Sequence, residues 1–321
     1  MLIPALSAFL AFVTGYAIKR GNICAVAAVH QWVQHKDSYH LRAFLTAMCC
    51  SGIALISITW SMPGVTSLSP AYMTTLATLS GAVLFGIGAW VNQACVLGTV
   101  AFLCRGDINY GCTLIGMFLG SIMGQYGSQP VLQSPVSPLE SPSGFALAAG
   151  LYGFGLIFGL RHHVFRHPRR SAKYRHFSNN GELLPMMIIV GGCCGALHAL
   201  NGEWTYLAAL VRLAARTITA SAGSPISTIC IYAFAVFAGG LFSAWHSGEF
   251  RASSLSMRLA SRKLAGGTAM GFAACKIPGG NESMLFYGAP SLATHAIVAY
   301  VAMTLTVLCI TYIHHVARQQ A

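Results

Sequence analysis

Windows of about 17 to 25 apolar residues, each long enough as a helix to cross a hydrocarbon core of roughly 30 Å, follow one another along almost the whole chain. They start near Leu2, Leu41, Tyr72, Asn109, Gly144, Leu183, Ile226, Leu264 and Ala293. Only helices and closed barrels satisfy backbone polar groups in lipid, so the windows predict an all-α polytopic membrane protein with about nine transmembrane helices. Composition excludes the soluble alternative. Of 321 residues, 55% are hydrophobic and 8% charged, with a mean hydropathy of +0.63, whereas a soluble surface needs roughly 25% Asp, Glu, Lys and Arg. The stretch from Met1 to Ile18 has no basic start and no small-residue cleavage pattern, and so reads as a first span rather than a signal peptide.

The net charge of +12 is clustered. Arg161, Arg166, Arg169, Arg170, Lys173 and Arg175 fall in one connection, and Arg251, Arg258, Arg262 and Lys263 in another. Under the positive-inside rule these clusters place the N-terminus outside and the C-terminus in the cytoplasm of a multi-pass protein of the inner (plasma) membrane. Lys19, Arg20, Lys36, Arg42 and Arg105 then fall inside, while connections 61–70 and 126–143 carry no Lys or Arg outside. Arg212 and Arg216, on the outer side, are the exception. Basic runs flanked by apolar spans do not describe a nucleic-acid surface, and the partner implied is the lipid bilayer.

Eleven cysteines are present, none in a CxxC pair or a Cys/His ladder of zinc spacing, so no metal or cofactor is expected. Cys49, Cys50, Cys112, Cys230 and Cys309 read as small packing hydrophobes. His162, His163, His167 and His176 lie in connections and read as solvated, with His198 and His295 the exceptions inside apolar segments. Without a Walker loop, a dinucleotide fingerprint or an HExxH pattern, ATP-driven transport by this chain alone is not expected, and the chain is expected to be no enzyme.

Several apolar stretches break where a span should continue. Lys19-Arg20-Gly21-Asn22 leads into a run from Ile23 to Val29 too short to cross, and the stretch from Gly81 is interrupted at Asn92-Gln93-Ala94-Cys95 before Arg105-Gly106-Asp107. Glu203-Trp204 and Gly279-Gly280-Asn281-Glu282 mark further breaks. Such interruptions predict short re-entrant helices lining a cavity. Gly81 to Gly120 is echoed from Gly266 onward, with Gln93-Ala94-Cys95 facing Gly279-Gly280-Asn281, and Gly15 to Val29 is echoed faintly by Gly195 to Leu207. The chain therefore divides into a first half-repeat (1–125), a linking span with a basic cytoplasmic loop (126–182) and a second half-repeat (183–321). The single linking span turns the second half upside down, giving two inverted pseudo-symmetric halves.

The pieces Arg20-Gly21-Asn22-Ile23-Cys24-Ala25, then Gly81…Phe85-Gly86-Ile87-Gly88…Ala94-Cys95-Val96-Leu97-Gly98-Thr99…Arg105-Gly106-Asp107-Ile108-Asn109-Tyr110, and Met270-Gly271-Phe272…Pro278-Gly279-Gly280 resemble the YeeE/YedE sulfur-transport family. The resemblance covers most of the chain and implies uptake of thiosulfate or related sulfur and selenium species through a pore between pseudo-symmetric halves. It implies that Cys24 and Cys95 are substrate-pathway thiols, with Gly98, Gly279 and Gly280 allowing close backbone approach. Where the family has Gly-Gly-Cys this chain has Gly279-Gly280-Asn281, an amide in place of one thiol.

Read by chemistry alone, a thiol is a weak donor and weak acceptor, able to hold a soft anion in a constriction without trapping it, as weak serial sites require. Arg105 and Asp107 are candidates for the pathway or for a clamp on the re-entrant turn. Glu282 is a candidate proton site, but as a cap for the N–H groups of the next short helix it fits better. The leading function is a permease for a small sulfur-containing anion. A membrane thiol-disulfide oxidoreductase is the alternative, weakened by the lack of CxxC. A cytoplasmic sulfurtransferase-like acceptor, docking on the basic 161–175 loop, would be an added partner.

Overall fold

Proline is sparse inside the apolar windows, and helix is the one backbone form that satisfies itself within a single segment. The computed structural model describes residues 2–62, 66–126, 130–134, 137, 139, 141–165, 182–219 and 226–320, and these are almost wholly helical. The elements are α1 (Leu2–Arg20), α2 (Ala25–His35), α3 (Tyr39–Ser61), β1 (Ala71–Tyr72), α4 (Leu76–Asn92), α5 (Val96–Cys104), α6 (Asn109–Gln125), β2 (Leu132–Ser134), α7 (Pro142–Phe165), α8 (Leu183–Asn201), α9 (Tyr206–Thr219), α10 (Ile226–His246), α11 (Met257–Lys276), α12 (Asn281–Ser283) running into a π turn (Met284–Gly288), and α13 (Thr294–Gln320). The two short strands pair antiparallel, Ala71 with Ser134 and Tyr72 with Leu132.

Among the described residues, six stretches are long and apolar enough to cross a membrane: Tyr39–Ser61, Leu76–Cys104, Pro142–Leu160, Leu183–Ile218, Thr228–His246 and Thr294–Gln320. The molecule is thus a multi-pass helical membrane protein. Two of the six are broken in the middle, at Gln93–Cys95 and at Gly202–Thr205. Helix α6 has 17 residues, and α11 carries Arg258, Arg262, Lys263 and Lys276. Sequence patterning starts this last helix at Leu264, but it begins seven residues earlier, at Met257. Arg258, Arg262 and Lys263 therefore belong to its first turns rather than to a connection, and Lys263 is 2% exposed. The basic loop expected at 161–175 lies largely outside the described residues.

Element order runs long, short, long, long, short, long on either side of α7. The long helices pack as α1 with α10, α3 with α8, α4 with α13 and α6 with α11, and the seams α1·α8 and α4·α11 join them. Small residues set these contacts. A side chain at Gly120 would strike the Thr268 carbonyl, and one at Gly271 the Met117 carbonyl, so α6 and α11 approach backbone to backbone, as helices do where lipid gives no hydrophobic drive to associate. The short helices fill the space between: α2 rests on α13, α9 on α6, α5 on α1 and α10, and the π turn on α3 and α8.

Candidate functional site

Each short helix begins at a break, and the four breaks meet in the protein interior. Cys24 is the N-cap of α2 and Cys95 the N-cap of α5, both in extended backbone, 3% and 1% exposed. The Cys95 Sγ accepts the backbone N–H of Ala25 at 3.2 Å. In return the Cys24 Sγ lies against the amide of Cys95 as well as those of Val26 and Ala27, and the two thiols face each other. Each sulfur thus occupies the positive end of the other thiol's helix, where backbone N–H groups point at any electron-rich atom. Gly98, one turn into α5, makes this approach feasible, because a Cβ there would fall 2.6 Å from the Cys24 Sγ.

Asn281 closes the arrangement from the second half. Fully buried, it accepts the Val96 N–H on Oδ1 at 3.1 Å, while its Nδ2 has no partner. The amide that replaces the expected thiol therefore caps α5, as Cys95 caps α2. Gly279, at φ +131°, holds a backbone conformation that side chains disfavour, which turns the chain from α11 into α12. A Cβ on Gly280 would meet Leu207 at 2.6 Å and would also strike the Glu282 carboxylate.

Glu282 is 3% exposed and curls back among the hydroxyls of Thr205 and Ser283, with no hydrogen bond to either carboxylate oxygen. Its carboxylate lies over Gly280, the N-cap of α12, and against its own backbone N–H at the start of that helix, without completing a capping bond. Beside it, His198 stacks on Tyr287 with ring centroids 4.0 Å apart and planes 3° apart, and Trp204 leaves its indole N–H unpartnered. His295 lies elsewhere, its Nδ1 accepting the Tyr72 N–H at 3.2 Å.

Arg105 and Asp107 are not in this centre. Arg105 is exposed, and its carbonyl accepts the Arg251 N–H at 2.8 Å. Asp107 Oδ1 accepts from Asn109 N at 3.1 Å, Asn109 Nδ2 at 2.8 Å and the Ser253 hydroxyl at 3.1 Å. Both tie the α5–α6 turn to the α10–α11 connection. In that connection Glu249 pairs with the buried Lys19 at 2.6 Å. Partial burial disfavours the Glu249 charge, but the hydrogen bond and charge of Lys19, with Arg105 and Arg20 nearby, outweigh it and hold the carboxyl below its usual range. Glu203 pairs with Arg212 at 3.1 Å, which accounts for one of the two cations predicted on the outer side.

Sequence reasoning missed the polar braces of the centre. Asn92 donates to the Ala94 carbonyl at 2.9 Å and to Thr99 at 3.2 Å, and accepts from Thr113 at 2.7 Å. Tyr206 donates to the Val96 carbonyl at 2.8 Å. Their only signal is a polar group beside a break. Cys49 is buried as expected, whereas Cys230 and Cys309 are exposed on α10 and α13. A cavity of about 20 Å³, lined by Ala25, Val26, Ala89, Cys95, Tyr300 and Met303, adjoins Cys95 and holds roughly one water-sized group. Among the described residues, no three His, Cys, Asp or Glu side chains group as a metal site.

Interrupted helices meeting inside a bundle of apolar spans define a helical membrane protein of the kind that moves a solute. A sequence model of the sulphur transport family matches residues 20–309, and the chain belongs to that family, the YeeE/YedE sulfur transporters. Comparison with curated proteins finds no match. Membership makes the chain a transporter of a sulfur compound in the membrane.

Proposed function

We propose that the protein is a permease, not an enzyme, that carries a small sulfur-containing anion, thiosulfate or a related sulfur or selenium species, across the inner membrane past Cys24, Cys95 and Asn281. The observation that carries this reading is the reciprocal capping at the centre, where Cys95 sits on the Ala25 N–H and Asn281 on the Val96 N–H. An anion arriving there competes for amides already aimed at sulfur and oxygen, so it exchanges one weak partner for another. The 20 Å³ cavity is too small for a sulfur oxyanion, so passage requires the short helices to part.

The proposed frame is nine spans in two inverted halves, 1–125 and 183–321, around the linking segment 126–182, with the N-terminus outside and the C-terminus in the cytoplasm. Matched packing supports it: α1 on α10 mirrors α8 on α3, α6 on α11 mirrors α13 on α4, and α2 on α13 mirrors α9 on α6. The basic 161–175 loop then faces the cytoplasm, where an acidic sulfurtransferase-like acceptor would dock.

Uptake of labelled thiosulfate in cells dependent on it, compared with sulfate, sulfite and selenite, tests the reading. Cys24→Ala and Cys95→Ala are expected to abolish uptake while the folded protein persists at wild-type levels; full uptake by both sinks the thiol pathway. The contact between the two thiols also favours a second reading, a thiol-disulfide oxidoreductase. That reading requires the free-thiol count of the purified protein to fall by two on oxidation and return with reductant, with activity following it.

A further inference from the structure

Among the described residues two lysines are almost fully buried, and they differ in one respect. Lys19, 1% exposed, has the Glu249 carboxylate at 2.6 Å. Lys263, 2% exposed, donates to the Asn92 carbonyl, to Gln93 Oε1 at 3.3 Å and to the Tyr110 hydroxyl at 2.9 Å, and its Nζ lies 4.1 Å from the Tyr110 ring centroid. All of these partners are uncharged, and among the described residues Lys263 makes no ion pair. Asp107, whose charge reaches it, is engaged by Asn109 and Ser253. Three acceptors satisfy the three N–H groups of the ammonium but leave its charge unneutralised, an expensive arrangement inside a membrane protein.

A helix cap accounts for part of this charge. Arg262 donates to the Val91 carbonyl at 2.8 Å, so adjacent cations of α11 cover the last two carbonyls of α4. The negative end of a helix amounts to only about half an elementary charge, and with the Asp107 carboxylate added it still falls short of two full positive charges. A positive surplus remains, within reach of the thiols. Asn92 and Gln93 lead directly into Cys95, Cys24 is within electrostatic reach of Lys263, and Tyr110 is within reach of both sulfurs.

We propose that Lys263, framed by Gln93 and Tyr110, is an anion-binding station next to the Cys24–Cys95 pair, on the side facing the α10–α11 connection. The proposal rests on the reading of the substrate as an anion. An oxyanion leaving the thiols displaces Gln93, the longest of the three contacts, and takes its place on the ammonium. Charge attracts the anion at this step, and the neutral partners reclaim the ammonium as it leaves, so the site does not become a trap.

Thiosulfate uptake into proteoliposomes, with wild type, Lys263→Gln and Lys263→Arg compared, tests this. Glutamine keeps a donor for the Asn92 carbonyl but removes the charge. The expected result is a KM raised about tenfold or more in Lys263→Gln at near-normal kcat and melting temperature, with Lys263→Arg close to wild type. An unchanged KM in folded Lys263→Gln overturns the proposal and leaves Lys263 a helix cap. If Lys263→Gln does not fold, Gln93→Ala, which frees the ammonium of its competitor, is expected to lower KM, and no change overturns the proposal. Wild-type vesicles that carry no thiosulfate, sulfite or selenite would remove the anion reading itself and this site with it.

Discussion

The Cys95 sulfur accepts the backbone N–H of Ala25 at 3.2 Å across 70 residues of sequence. A side chain at one break therefore terminates the helix that begins at another, and neither short helix is complete by itself. Cys24 answers from the other side, so a change at either thiol disturbs both helix starts.

Gly98 is where that contact is most sensitive. In Gly98→Ala the new methyl would lie 2.6 Å from the Cys24 Sγ, and overpacking of this kind costs ~1–3 kcal/mol. The expected outcome is a folded but less heat-stable protein with reduced uptake. Wild-type melting temperature and uptake together would show that α2 and α5 are not held as described.

Asn281 offers a gain as well as a loss. Asn281→Ala removes the cap on Val96 and is expected to destabilise the protein by ~0.5–2 kcal/mol, read as a lower melting temperature. Asn281→Cys restores a weak acceptor and should retain more stability than alanine. Relative uptake of thiosulfate and sulfate by the asparagine and cysteine forms measures how far the amide sets substrate preference.

Glu249 predicts a pH effect of definite sign. Its folded carboxyl is held below the ordinary value near 4.5, so its contribution to stability is complete above that pH and disappears as pH falls through the lower folded value. Glu249→Gln strands the ammonium of Lys19 and should melt earlier than wild type at neutral pH. Melting temperatures of the two proteins are expected to converge under acid; a constant gap at every pH would contradict the linkage.

Helix approach gives the plainest stability test. Gly271→Leu drives a side chain into the Met117 carbonyl and Gly120→Leu one into Thr268, prying α6 from α11. Both variants are expected to be lost from the membrane fraction, whereas Gly150→Leu, at a position with open space around it, should accumulate normally. Immunoblots of membranes decide this.

Helices and breaks were legible because lipid leaves so few choices. Apolar windows placed a helix within a few residues of each predicted start except α11, whose first turns carry Arg258, Arg262 and Lys263. A hydropathy pattern ends a span at such charges. Packing against Asn92 and Tyr110 lets α11 carry Lys263 inward instead.

By itself, then, the sequence determined that this chain lives in a bilayer, where its helices break, and that Cys24 and Cys95 stand at two of those breaks. Those properties follow from local composition and from the backbone's need to satisfy its own hydrogen bonds. Only the tertiary structure decided who meets whom: Cys95 on Ala25, Asn281 on Val96, Glu282 folded over Gly280, and Asp107 drawn away to Ser253. Glu282 apart, these pairings join residues far apart in the chain, and two of the partners are backbone N–H groups, identical in nearly every residue type and so invisible in a list of side chains.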